Sequence, residues 1–240
     1  MSRPADGRWV VLDVGETLID ETRVWSIWAD VLGIPRLTFL AGLGAVVERG
    51  QEHREVFALF GVTDWRARVD EVEAAYDGFR ADDLYPDALP LFATLRAAGY
   101  RTAVIANQPA ARTAELRRLG VDAEAMAMSD ELGVWKPDPA FFARTLELLG
   151  APAAADVAYV GDRVDNDVLP SAAAGMRAVW IRRGPWGVIQ RLPASGNETG
   201  DGRTAPGVLV VDTLRELGER IGEAWRSASA PEPDEAGQMR

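Results

Sequence analysis

One lysine stands among 26 basic residues, Lys136 in V-W-K-P-D-P, and every other cation of the chain is an arginine. An ammonium is a compact point charge whereas a guanidinium is a wide planar fork, so a lone retained lysine marks a site too tight for the fork. Asp13 follows the apolar run 9–12, Asn107 follows 102–105 and Ala106, and Asp162 follows 157–160 and Gly161. A single aspartate after a strand reads as an N-cap or turn residue. Two carboxylates, an amide and an ammonium converging on one cleft read differently. They can hold a hard divalent cation and an anion together, the charge arrangement that phosphoryl transfer requires. The chain has no cysteine, which excludes thiol nucleophiles and thiolate metal sites. Its one histidine, His53, lies in the polar stretch Q-E-H-R-E and is expected on the solvated surface, far from the other candidates. Carboxylates and one lysine are left to carry any reaction.

These residues meet only if the elements bearing them share an edge. Short apolar runs at 9–12, 102–105, 157–160, 178–181 and 208–211 read as buried strands, with a weaker one at 125–128. Helical spacing fills 88–98, 110–119, 139–149 and 166–174. Strands alternating with helices predict an α/β fold, a Rossmann-like, doubly wound parallel sheet. Ligands bind such sheets outside the carboxyl ends of the strands, where Asp13, Asn107 and Asp162 would stand. Lys136 would come just ahead of the helix at 139–149.

Residues 19–86 behave differently, with apolar residues at helical spacing and no strand signal. They predict an inserted cap of three or four helices leaning over the carboxyl edge. The expected organisation is therefore a core of residues 1–18 and 87–226, an all-helical cap at 19–86 and a disordered tail at 227–240. The aromatic stripes of the insertion are expected mostly in its core, and periodicity does not say which of Arg23, Arg36, Trp25 or Trp28 faces the cleft. The Gly-, Pro- and Ser-rich stretch 184–207 reads as a surface loop, and it contains a sequon at Asn197 that has no meaning without a secretory signal.

Across 240 residues, 26 basic against 37 acidic side chains leave a net charge of −11. Nucleic acid and anionic membrane would be repelled, and neither is expected as a partner. The polar start and the short run 9–12 suit neither a signal segment nor a membrane span, so a cytoplasmic protein is expected. Oligomeric state is not legible.

Three motifs, D-V-G-E-T-L at 13–18, K-P-D-P at 136–139 and V-G-D-R-V-D-N-D at 160–167, resemble in order and spacing those of the haloacid dehalogenase-like hydrolase superfamily. The resemblance covers roughly residues 9–183 and includes a small helical cap. It implies a Mg²⁺-dependent hydrolase of phosphatase type in which Asp13 attacks phosphorus and forms an aspartyl phosphate. Mg²⁺ would be held by the Asp13 carboxylate, the Gly15 carbonyl and Asp162, with Asp167 in support. Lys136 would neutralise the nucleophile and the transferring oxygens, and Asn107 with backbone N–H groups after Asp13 would bind the phosphoryl group. Two departures stand out. Gly15 replaces the second aspartate that protonates the leaving group, a loss worth about 10²- to 10⁴-fold, and Ala106 replaces a hydroxyl residue before Asn107. Glu16 is the nearest substitute for the missing acid, its alternative reading being a solvated turn residue. The expected substrate is a small phosphorylated metabolite, an acyl or aryl phosphate fitting the missing acid best. Carbon–halogen hydrolysis and a silent phospho-ligand or partner-binding protein are the alternatives.

Overall fold

Apolar runs of four to six residues have too little length to bury themselves as helices, and in the computed structural model they stack into one sheet. The structure describes residues 7–193 and 207–226. The strands are β1 (Trp9–Leu12), β2 (Arg101–Ala106), β3 (Ala125–Met128), β4 (Val157–Gly161), β5 (Arg177–Ile181) and β6 (Leu209–Val211). They are all parallel in the order β3-β2-β1-β4-β5-β6. β1 therefore lies at the switch point, with β2 on one side and β4 on the other, which is where an open α/β sheet forms its ligand crevice. Leu12 pairs with Val104 and Val160, so these three strands end nearly level.

Both faces are covered, which is why the strands read as continuous apolar runs rather than alternating ones. Alternate residues Val10, Leu12, Val104, Ala158 and Val160 point into one layer. There they meet α5 (Ala88–Ala97) and α11 (Leu214–Arg220) through Leu91, Leu95, Leu214 and Leu217. Trp9, Val11, Ile105 and Tyr159 face the other layer, against Phe141 and Phe142 of α8 (Pro139–Leu148). Shorter helices α6 (Ala111–Arg118), α7 (Ser129–Leu132) and α9 (Leu169–Ala173) complete the crossovers.

Between β1 and β2 the chain forms α1 (Thr22–Val31), α2 (Arg36–Glu48), α3 (Glu55–Leu59) and α4 (Val69–Tyr76). Trp25, Phe39, Leu43, Val46, Val56 and Phe57 give this helical insertion its own apolar core. Its neck is narrow: Asp20 N donates to Asp83 O and Tyr85 N donates to Leu18 O, at 2.8 and 3.0 Å. No single helix among the described residues is long and apolar enough to cross a membrane.

Two sequence expectations change here. Residues 184–189 are not loop but the helix α10 (Gly184–Ile189), which lies on α2 and inserts the buried Trp186 into the cap core. Six apolar or small residues that begin with Gly-Pro carry too weak a period to distinguish such a turn from a loop. The helix expected over 166–174 begins instead as a π-turn at Val164–Val168 before α9. That wider turn carries Asp167 back toward the sheet, where its carboxylate meets Lys136. The tail 227–240 and the sequon at Asn197 lie outside the described residues.

Candidate active site

The ends of β1, β2 and β4 bring Asp13, Asn107 and Asp162 into one cavity wall. Asp13 N donates to Val160 O at 2.9 Å, so the residue leaves β1 alongside β4. Asp13, Asp162 and Asp167 bring carboxylate oxygens within 4.8 Å of one another, and all three residues are buried. Lys136 Nζ sits 2.7 Å from Asp13 Oδ1 and 2.6 Å from Asp167 Oδ1. Its stem is boxed by the Phe141 and Tyr159 rings, with Nζ 5.9 and 5.4 Å from their centroids. A compact ammonium suits this buried point between two carboxylates better than a wide planar guanidinium, which is the physical reason for a lysine here.

Three carboxylates against one ammonium leave the cluster electron-rich. Burial, then Asp167 and Asp13, hold the Asp162 carboxyl well above its ordinary range. Burial pushes Asp167 up to about 6 against the opposing pull of Lys136. For Lys136 burial works against the ammonium, and the Asp13 and Asp167 charges outweigh it, so its pKa lies well above the usual lysine value. Asp162 Oδ2 is buried with no hydrogen-bond partner among the described residues. An orphaned carboxylate oxygen beside two others is a hard donor set, and a hard divalent cation fits it.

Asp167 owes its place to Gly161. A Cβ there would lie 2.3 Å from Asp167 Cγ, although the glycine has no positive φ. Gly161→Ala is expected to cost about 1–3 kcal/mol through overpacking, read as a lowered thermal midpoint, and an unchanged midpoint would show that the close approach is not needed.

Asn107 stands at the end of β2 as expected, but its amide is engaged. Nδ2 donates to Lys136 O at 3.0 Å and Lys136 N donates to Oδ1 at 2.8 Å, so the side chain clamps the loop that presents the ammonium. Glu16 is not a solvated turn residue. It is buried in the left-handed region with φ 49°. Glu21 N donates to its Oε1 at 3.0 Å and the Tyr85 hydroxyl to its Oε2 at 2.5 Å. Two bonds of this kind hold a conformation that costs a non-glycine residue roughly 1–3 kcal/mol, and they commit both oxygens to bracing the turn.

Above the strand ends lies a cavity of about 690 Å³ with Asp13, Gly15, Lys136 and Asp162 in its wall. From the cap, Trp25 and Trp28 line it, whereas Arg23 and Arg36 do not. Arg23 ties Asp83 and the Tyr76 and Gly78 carbonyls together, and Arg36 pairs with Asp30 on the surface. His53 is corrected from surface residue to cavity wall. Its Nδ1 is 3.3 Å from Arg163 Nη1, across the cap–core boundary, and its ring meets Trp25 and Trp186 edge-on. Burial lowers its pKa against the opposing pull of Glu52, whose Oε1 lies 2.9 Å from Nδ1.

Sequence reasoning missed Glu21. It lines the cavity, and burial followed by the Glu16 charge pushes its carboxyl up to about 7. No local pattern marks it, because its approach to Gly15 depends on a reversal of the chain through residues 14–20.

A family model described as haloacid dehalogenase-like hydrolase matches residues 8–175, and a second, HAD-hydrolase-like, matches 134–217. Glyceraldehyde 3-phosphate phosphatase of Methanopyrus kandleri is 32% identical over 136 residues, 55% of this chain and 57% of that protein. Phosphoserine phosphatase of Thermus thermophilus is 32% identical over 171 residues, 65% of this chain and 68% of that one. The chain thus spans little more than half the length of the first of these relatives. A solved L-2-haloacid dehalogenase, 17% identical, superposes with a TM-score of 0.62 over 90% of this chain and 99% of its own, a likeness of fold alone. With β1 at the switch point, the lysine between two aspartates and a family match over residues 8–175, the chain belongs to the haloacid dehalogenase-like hydrolases.

Proposed function

We propose that this hydrolase is a magnesium-dependent phosphatase acting on a small phosphorylated metabolite through an aspartyl phosphate on Asp13. The observation that carries the reading is the orphaned, buried Asp162 Oδ2 beside Asp13 and Asp167, a hard cation site that displacement of halide from carbon does not need. The names of the two phosphatase relatives support a phosphate monoester of modest size.

An Asp13 oxygen attacks phosphorus, and the bond to the leaving oxygen breaks as that oxygen takes a proton. Water then attacks the phosphorus, releasing phosphate and restoring the Asp13 carboxylate. Splitting the hydrolysis in this way replaces one difficult step with two easier ones. Lys136 holds Asp13 in line and balances charge that moves onto the transferring oxygens. Asn107 keeps Lys136 in register through its backbone. Asp13, the Gly15 carbonyl and Asp162 would hold Mg²⁺, with Asp167 in support, and the ion would supply positive charge against the phosphoryl oxygens.

Gly15, which brings no acid of its own, favours a second reading in which the chain binds a phospho-ligand without turning it over. Phosphate release decides between them. Hydrolysis of a panel of phosphate monoesters is expected with Mg²⁺, and loss of activity in EDTA and in Asp162→Asn. Binding of the same esters with no release would favour the silent protein.

The metal also predicts a pH effect on stability. A carboxyl with a higher pKa folded than unfolded binds its proton more tightly in the folded state. Asp167 therefore makes the metal-free protein less stable as pH rises from 3.8 to about 6. Asp162 acts in the same direction. Mg²⁺ favours the ionised carboxylates, so it is expected to raise the thermal midpoint more at about pH 7.5 than at about pH 5. Equal shifts at both pH values, or a shift retained in Asp162→Asn, would count against this metal site.

A further inference from the structure

Breaking a phosphorus–oxygen bond to an alkoxide requires a proton for the leaving oxygen, and the attacking water must lose one. Besides Asp13, eight carboxylates line its cavity wall or join its cluster, and of these Glu52 is paired with His53, Glu73 is paired with Arg112 and Asp130 is exposed. Asp167 is held by Lys136 Nζ and Arg163 N, Asp162 belongs to the cation site, and both oxygens of Glu16 are bonded within the turn. Asp165 is paired with Arg163. Glu21 remains.

Its position is specific. A Cβ built on Gly15 would lie 2.4 Å from Glu21 Oε1 and 2.8 Å from Glu21 Cδ, so the Glu21 carboxylate fills the space that a side chain at residue 15 would enter. Gly15 has no positive φ, and its missing side chain is explained by this occupancy rather than by backbone conformation. The chain reverses to bring Glu21 there, with Leu18 N and Ile19 N both donating to Val14 O and Glu21 N donating to Glu16 Oε1. Trp25 Nε1 donates to Glu21 Oε2 at 3.3 Å, which leaves Oε1 as the oxygen facing Gly15. Glu21, Gly15 and Asp13 share the cavity wall.

We propose that Glu21 is the proton-exchanging carboxylate of this site, supplied from the start of α1 in the place of the side chain that Gly15 lacks. The inference rests on the reading of Asp13 as nucleophile. In the first step the Glu21 carboxyl gives its proton to the leaving oxygen as the Asp13–phosphorus bond forms. In the second the Glu21 carboxylate takes a proton from water while the water oxygen bonds to phosphorus and the Asp13–phosphorus bond breaks. Phosphate leaves, and both carboxyl groups return to their starting states. Because α1 belongs to the cap, the reaction needs the cap seated over the sheet.

The test follows adduct formation and decay by rapid quench and intact mass, with p-nitrophenyl phosphate and with glycerol phosphate, for wild type and Glu21→Gln. Glutamine keeps an acceptor for Trp25 and cannot exchange a carboxyl proton. Adduct formation from glycerol phosphate is expected to fall about 10²- to 10⁴-fold, formation from the activated aryl ester by less than about tenfold, and decay to slow equally for both. A wild-type decay rate, or an equal loss of formation from both esters, would overturn the proposal. The double variant Gly15→Asp/Glu21→Gly, which clears the space and moves the carboxylate to residue 15, is expected to restore decay to within about tenfold of wild type. It decides the matter if Glu21→Gln does not fold, and a folded double variant with a stalled adduct would refute the role. Failure of the nucleophile reading looks different, since wild type itself would then form no adduct and release no phosphate.

Discussion

Wild-type protein acid-quenched during turnover of acetyl phosphate with Mg²⁺ is expected to show a species about 80 Da heavier, one phosphoryl group, and Asp13→Asn none. Asn keeps the size and part of the polarity of Asp13 but offers no anionic oxygen to phosphorus. Where a nucleophile works as one unit with its neighbours, its removal costs up to about 10⁶-fold in kcat. The loss expected here is of that order, because Lys136 has no role in turnover without the carboxylate it holds at 2.7 Å. Asp13→Asn is also expected to stay folded, since it removes one of three crowded carboxylates and leaves Asp167 to pair with Lys136. An adduct that survives in Asp13→Asn would move the nucleophile elsewhere.

Lys136→Ala is expected to damage stability as well as turnover. The ammonium is buried and is the only positive charge in direct contact with the Asp13 and Asp167 carboxylates among the described residues. Removing one partner of a buried ionic cluster strands the others and costs about 3–5 kcal/mol. For a domain of this size each kcal/mol moves the midpoint by roughly 2–4 °C, so a fall of about 6–20 °C follows. Lys136→Arg keeps the charge and is still expected to lose activity, because a wide planar fork does not reproduce the ammonium's buried contacts with Asp13 and Asp167. The shape argument fails if arginine restores wild-type turnover. A midpoint unchanged in Lys136→Ala would mean that the carboxylates find protons or water at no cost.

Much of this site is legible in the chain because its key residues sit at fixed points of regular elements. Asp13, Asn107 and Asp162 each follow a run of apolar residues, and a parallel sheet brings the carboxyl ends of adjacent strands to one edge whatever the loops do. Lys136 is legible for a compositional reason, as the one lysine among arginines. The helical insertion is legible because apolar spacing changes character after residue 19 and back near residue 87. Where the period is short the reading fails, as at α10, whose six residues and Gly-Pro start resemble a loop until Trp186 is seen packed in the cap.

The sequence by itself determined the sheet, the carboxyl edge, the lysine and the family, since strand periodicity and strand-end residues are local properties carried by consecutive positions. Tertiary structure decided which polar groups are free to react. Asn107 turned its amide to the Lys136 backbone, Glu16 spent both oxygens on its own turn, and His53 crossed from an expected surface to the cavity wall beside Arg163. Glu21 came to rest where a side chain at Gly15 would project. Each of these outcomes depends on a turn angle or a cap–core contact of a few ångströms, and neither is encoded in the spacing of residue types along the chain.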